Sequence, residues 1–161
     1  MRRAVEILDL VFKCMTILAI VAGGTWTVWT FFIQRTDVEN VSLGVTTDSV
    51  EYRGDLRLLV IHVKPKNIGK VLVDPPIFRL TVRRIPLDLP QWKAIDLTPI
   101  EPMPPIDLLR HDREGYEMEP GVEYDDIELI VVPKNIVVHV QAELGFSDGS
   151  MVLAQTVRAI K

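Results

Sequence analysis

Cysteine is almost missing from this chain: Cys14 is the only one in 161 residues. That excludes an intramolecular disulfide and a cysteine-based zinc site. Histidine is scarce as well, with only His62, His111 and His139. No His-Glu-x-x-His, phosphate-loop or Gly-x-Ser-x-Gly pattern occurs, and no spacing of Ser, His and Asp suggests a triad. No catalytic residue, metal ligand or cofactor-binding residue is expected, and no cofactor. Basic residues are in the minority after residue 35, with 14 against 20 acidic ones, a balance of −6. An acidic domain of this kind is a poor fit to nucleic acid, whose phosphates select for Lys and Arg.

One absence is local. Cys14 to Ile33, CMTILAIVAGGTWTVWTFFI, runs 20 residues without a charge, a proline or an asparagine. At about 1.5 Å per residue a helix of that length covers the roughly 30 Å of a bilayer core. Lys13 and Arg35 bound it, and Trp26, Trp29, Phe31 and Phe32 form an aromatic belt of the kind that sits at headgroup level. Two rivals remain: an aromatic-rich core helix, and a signal peptide cleaved near Ala22-Gly23-Gly24. Cleavage there would leave another apolar segment, Thr25 to Ile33, at the new N-terminus. Thr16, Ala19, Gly23, Thr27 and Thr30 follow one another at steps of 3, 4, 4 and 3 and so share one helix face. Small residues on one face let helices approach closely in lipid. Arg2, Arg3 and Lys13 precede the run, whereas Arg35 alone follows it closely. The bias of basic residues places the N-terminus in the cytoplasm and the large domain outside.

Residues 2–13 read as an amphipathic lead-in that continues into the span. Beyond Asp37 the apolar period falls from about 3.6 to 2. Val41, Leu43 and Val45 alternate with Ser42, Gly44 and Thr46, as in a half-buried strand. Asp48 to Gly54 has turn chemistry. Residues 55–63 are apolar enough for a strand covered on both sides. Pro65 is expected to end that ladder, with Asn67 and Gly69 available for the positive φ of a tight connection. A short strand at Val71 to Val73 precedes Ile77 to Ile85, in which Phe78, Leu80 and Val82 oppose Arg79, Thr81 and Arg83.

Residues 86–121 hold seven of the eleven prolines. A short strand is expected at Gln91 to Leu97. Pro99 to Gly115 reads as a long surface connection with a helical turn at Ile106 to Arg110, either a binding loop or a flap over the core. Glu119-Pro120-Gly121 predicts a type II turn, launching a strand over Val122 to Val132 in which Ile127, Leu129 and Val131 share a face. Residues 136–146 alternate again, and Ser147 to Ser150 closes a hairpin into Met151 to Ile160. The acidic group from Glu117 to Glu128 is either a weak cation candidate or a solvated edge that resists aggregation.

The fold class expected is mainly β: residues 1–35 as lead-in and transmembrane helix, residues 36–161 as one antiparallel Ig-like or fibronectin-like β-sandwich. The pattern Gly23-Gly24-Thr25-Trp26-Thr27-Val28-Trp29, then Val60-Ile61-His62-Val63 … Asn67-Ile68-Gly69-Lys70, then Glu119-Pro120-Gly121 … Asp125-Asp126 resembles small bacterial single-span membrane proteins with a C-terminal Ig-like β-sandwich. The resemblance implies that layout and brings no catalytic residues with it. Three functions fit: a membrane-tethered interaction module without enzymatic activity that meets a protein partner or forms a homo-oligomer, an accessory subunit assembled through the span, or a cation-dependent binder or enzyme using the acidic edge or His111.

Overall fold

The computed structural model describes residues 2–30, 38–88, 92, 94–111 and 115–161. The chain divides into two units, Met1–Val38 and Glu39–Lys161. The first holds α1, Arg2–Val28, which passes into a wider π-type turn at Trp29 and Thr30. Asp9 and Lys13 form an i,i+4 ion pair at 2.6 Å, with the acid N-terminal to the base, the favourable order on a helix. Among the described residues α1 is the one helix long and apolar enough to cross a membrane, and no residue of its Asp9–Val28 stretch is buried.

The second unit is built from seven strands: β1 Val41–Arg53, β2 Leu56–Asn67, β3 Ile77–Ile85, β4 Ile106–Asp107, β5 Asp126–Pro133, β6 Ile136–Gly145 and β7 Met151–Ile160. They form two antiparallel sheets, β1-β2-β5 and β4-β3-β6-β7. Inward residues of both sheets share one core: Leu59, Ile61 and Val63 from β2, Ile130 and Val132 from β5, Phe78, Leu80 and Val82 from β3, and Val138, Val140, Ala142 and Leu144 from β6. Their alternation with outward residues is the period-2 signal of a pleated strand. Burying even one such side chain is worth about 1.5–3 kcal/mol, which fixes which face turns in.

The first hairpin is longer than its sequence suggests. Asp48 to Arg53 belongs to β1 and pairs with β2, with a register shift between Glu51 and Arg53, and the turn is confined to Gly54 and Asp55. Gly54 takes φ 54°, which a side chain rarely tolerates. Glu51 sits 2.6 Å from Arg57 across this end. The hydrogen bond and charge of Arg57 hold its carboxyl below the usual range.

Pro65 does not end β2. It sits opposite Leu43, and its carbonyl accepts the N–H of Tyr124 at 3.0 Å. N–H and C=O of one strand residue point the same way, so the missing donor of Pro65 faces the lead-in to β5 and costs the β1 ladder nothing. Nor do Asn67 and Gly69 use positive φ, which among the described non-glycine residues is taken by Trp92 and Asn135. Asn67 works through its side chain instead. Val71–Val73 forms no strand; a single bridge joins Val73 to Met118. Residues 94–97 are irregular, while Gln91 and Lys93 lie outside the described residues. The residues expected as a helical turn divide into β4 and a 3-10 turn, Leu109–His111. β2 buries one face only, since Leu58, Val60 and His62 stay partly exposed.

Two turns read from sequence are present. Gly121 has φ 81° and Val122 N–H bonds Glu119 C=O at 3.2 Å, the closure of a type II turn. At the β6–β7 hairpin Gly149 has φ 83°. There Asp148 accepts the Ser150 hydroxyl at 2.6 Å and the Ser150 N–H at 2.8 Å. Those two bonds, the hydroxyl's first, hold the Asp148 carboxyl below its ordinary range. A depressed folded pKa contributes stability above the unfolded pKa, and that contribution is lost as pH falls through the folded value. An NMR pH titration is expected to place Asp148 below a model aspartate and to move it upward in Ser150→Ala; equal midpoints in the two proteins would contradict the contact.

Candidate interaction surface

The outer face of the β1-β2-β5 sheet departs from an in/out pattern, as does β7 at Met151, Leu153 and Val157. Ile127, Leu129 and Val131 do share a face, and it is the one turned to solvent, at 54%, 58% and 48% exposure. The inward positions of β5 are Glu128, Ile130 and Val132. The register sets Leu129 beside Val60 and Val131 beside Leu58, and Leu58 beside Val50 of β1. An apolar strip therefore crosses from β5 to β2 and touches β1 at Val50. Contiguous apolar surface of this kind marks contact sites far more often than scattered single residues do.

Its rim is polar. His62 lies opposite Ile127. Its Nδ1 is 3.0 and 3.1 Å from the two Asp125 oxygens, which accept its N–H. Lys64 stands 4.0 Å from the same carboxylate, and Lys66 stands 3.8 Å from Glu123. The acidic stretch is thus tied into cross-strand and loop-to-strand pairs: Tyr116, between strands, donates its hydroxyl to Asp126, and Arg110 of the 3-10 turn donates to Glu128. Among the described residues no three metal-ligating side chains converge. His139 sits on the outer face of the other sheet, 2.9 Å from Gln155 through Nε2. His62 and His139 thus occupy different sheets, and the side chain of His111 lies outside the described residues.

β5 is also an edge strand. β2 occupies one side of it, and among the described residues no strand is hydrogen-bonded to the other. The opposite edge of that sheet is different, because β1 packs beside β7 and Asp48 meets Arg158 at 3.8 Å. β3 is shielded too. Met103 N–H bonds Val82 C=O and Leu108 N–H bonds Phe78 C=O, both at 2.9 Å, so residues 102–108 run along its edge. Leu108 is buried in the core, and a cleft of about 290 Å³ opens between Phe78, Arg79, Pro105 and Leu109. The described part of the Pro99 to Gly115 stretch therefore acts as an edge cover for β3.

Thr16, Ala19, Gly23 and Thr27 lie within α1. Thr16 and Thr27 donate their hydroxyls to Phe12 C=O and Gly23 C=O, each at 2.9 Å. Turning a hydroxyl back onto its own helix leaves no polar group seeking water. A methyl added at Gly23 would meet nothing within 4 Å, and Ala19 and Trp26 are exposed. Thr30 and Trp29 lie in the π-type turn; Phe31, Phe32 and Arg35 lie outside the described residues.

The sequence pattern that hides the strip is instructive. DIELIVVP alternates until Ile130 and is then apolar on both faces, so either parity could turn inward. Only the pairing with β2 assigns the odd residues to solvent.

No family model and no curated protein matches the sequence. Among solved structures, structural-genomics target SoR45 aligns with a TM-score of 0.47 at 10% identity, over 74% of this chain and 86% of that one. A Bordetella pertussis protein described as ApaA aligns with a TM-score of 0.47 at 11% identity, over 76% and 94%. The sporulation control protein Spo0M of Bacillus subtilis aligns with a TM-score of 0.39 at 16% identity, over 74% and 48%. At such scores these likenesses carry no argument about what the chain does.

Proposed function

We propose that this chain is a membrane-anchored interaction module without enzymatic activity: α1 crosses a bilayer once and holds an Ig-like domain that meets a protein partner. The single observation carrying this reading is the exposed apolar strip of Leu129, Val131 and Leu58 beside the open edge of β5. The strand order favours the fibronectin-like variety of the fold, since three strands in the order β1-β2-β5 face four in the order β4-β3-β6-β7, with chain crossings between sheets at β2–β3, β4–β5 and β5–β6. The resemblance to small bacterial single-span proteins points the same way. The bias of Arg2, Arg3 and Lys13 sets the N-terminus in the cytoplasm and the strands outside.

Two measurements bear on it. Alkaline washing of native membranes is expected to leave the full chain in the pellet, and externally added protease to digest the strands of intact cells. Leu129→Asp with Val131→Asp is then expected to leave retention unchanged and to weaken contact with the partner about tenfold or more, since each places a charge in a desolvated interface. Release of intact chain by washing would remove the anchor from the proposal. A second reading, an accessory subunit assembled through α1, rests on the small residues Ala19, Gly23 and Thr27 at i,i+4 spacing on one helix face. There Ala19→Leu with Gly23→Leu abolishes assembly, and the β5 pair does not.

A further inference from the structure

We infer that the partner received by the β5 edge is a second copy of this chain, joined by antiparallel β5–β5 pairing about a two-fold axis at Leu129. The inference rests on the interaction reading above and adds the identity of the partner.

The backbone sets the register. Tyr124 donates to Pro65 C=O, so even-numbered residues from 124 to 132 turn their N–H and C=O toward β2. Ile127, Leu129 and Val131 therefore turn theirs to the free edge. A symmetric pair that uses all three sets Leu129 opposite Leu129 of the other copy, and Ile127 opposite Val131 at both ends. Every such pair is of the hydrogen-bonded kind, and the same three side chains form one apolar row on the outer face. Shifting the register by two residues in one direction brings Pro133, with no N–H, against the edge; in the other it leaves Val131 opposite Asp125.

Charge favours the same arrangement. The strand runs from Asp126 to Pro133; Asp125 precedes it, and Lys134, 3.9 Å from Asp55 in the same copy, follows it. Antiparallel self-pairing brings Lys134, at the end of one copy's strand, to the acidic start of the other's, level with Tyr124 and next along the chain to Glu123 and Asp125. A parallel arrangement would stack Asp125 on Asp125. The strand is thus self-complementary in backbone, side chain and charge, as an isologous interface requires. One edge of eight residues falls short of the about 800 Å² per partner of a typical stable complex. Confinement of both copies to one membrane supplies the remaining effective concentration.

The test uses the full chain in native membranes with Cys14→Ser, so that one introduced thiol is unique. Leu129→Cys is expected to give a crosslinked dimer with a short thiol-reactive crosslinker. Leu153→Cys, 51% exposed on β7 of the other sheet, is expected to give about tenfold less, because a symmetric contact brings together only residues near its axis. Adding Val131→Pro to Leu129→Cys removes an outward N–H that is bonded to no strand among the described residues and is expected to reduce the dimer about tenfold. Adding Ile127→Lys, an exposed change that leaves the backbone intact, is expected to do the same. Equal dimer from Leu129→Cys and Leu153→Cys overturns the inference, as does dimer that survives both added substitutions. Leu129→Cys crosslinked only to a different polypeptide overturns the second copy and leaves the interaction reading standing. Crosslinks to no protein overturn both.

Discussion

Replacing Asn67 is expected to destabilise the β-rich unit more than any other polar substitution. Asn67 is fully buried. Its Nδ2 donates to Val71 C=O and to Met118 C=O, each at 2.8 Å, and its Oδ1 accepts Gly69 N–H at 2.9 Å. Its own N–H and C=O bond Val122 and Gly121. One side chain thus joins the end of β2, the crossover to β3 and the lead-in to β5. Asn67→Ala strands Val71 C=O, at about 1–3 kcal/mol for a buried group left without water, and removes one of two bonds at Met118 C=O, which keeps Val73 N–H, and at Gly69 N–H, which keeps Asn40 C=O; a loss of about 2–4 kcal/mol is expected. Asn67→Asp keeps the shape but turns a carboxylate toward two carbonyl oxygens. Burial and those oxygens raise its folded pKa above the ordinary value of about 3.9. Its stability is therefore highest below the unfolded pKa and declines as pH rises through the folded one. Pulse proteolysis in urea on the full chain, at pH 4 and pH 7, measures both effects. A midpoint for Asn67→Asp that does not fall with rising pH would contradict the geometry.

Asn67 also shows why part of the fold is legible in sequence and part is not. Local chemistry reads well. The Glu119-Pro120-Gly121 turn, the Ser147 to Ser150 hairpin and the alternation of β3 depend on residues adjacent in the chain, and the structure has all three. Long-range pairing does not read. Asn67 and Pro65 look like punctuation because Asn and Pro favour turns, yet here the partners 51 to 59 residues downstream decide their roles. Asp48 to Arg53 looks like a loop because it is polar, and pairing with Leu56 to Val60 makes it strand. Tertiary context overrides propensity most readily in strands, whose stabilisation is cross-strand contact. The apolar strip has the same cause. Ile127, Leu129 and Val131 are visible as a set, but which way the set faces is a property of β2. On α1 the converse holds, because a long apolar helix is defined by its own consecutive residues, and Cys14 to Val28 are α-helical.

The second large effect is expected at Tyr116. Its ring packs between Phe78, 5.2 Å away with planes at 56°, and Tyr124, 5.9 Å away at 48°. These are tilted arrangements of the kind aromatic pairs prefer, each worth about 0.5–1.5 kcal/mol beyond the area buried. Its hydroxyl reaches Asp126, the first residue of β5. Tyr124 in turn accepts Glu119 N–H at 3.3 Å and donates to Glu117 C=O at 3.2 Å. The three rings form a bracket from β3 to the start of the edge strand. Tyr116→Ala removes the middle ring and is expected to cost about 3–5 kcal/mol. Tyr116→Phe removes only the hydroxyl, with an expected cost of about 1.5–3 kcal/mol for a hydrogen bond to a charged group. The ratio separates packing from hydrogen bonding, and equal losses in the two variants would place the energy in the Asp126 bond. The two variants also differ at the β5 edge. Phe keeps the bracket closed and should leave Leu129→Cys crosslinking intact. Ala frees residues 115–124, and hydrogen exchange is expected to rise first at Asp126 to Glu128, where the strand loses its fixed start.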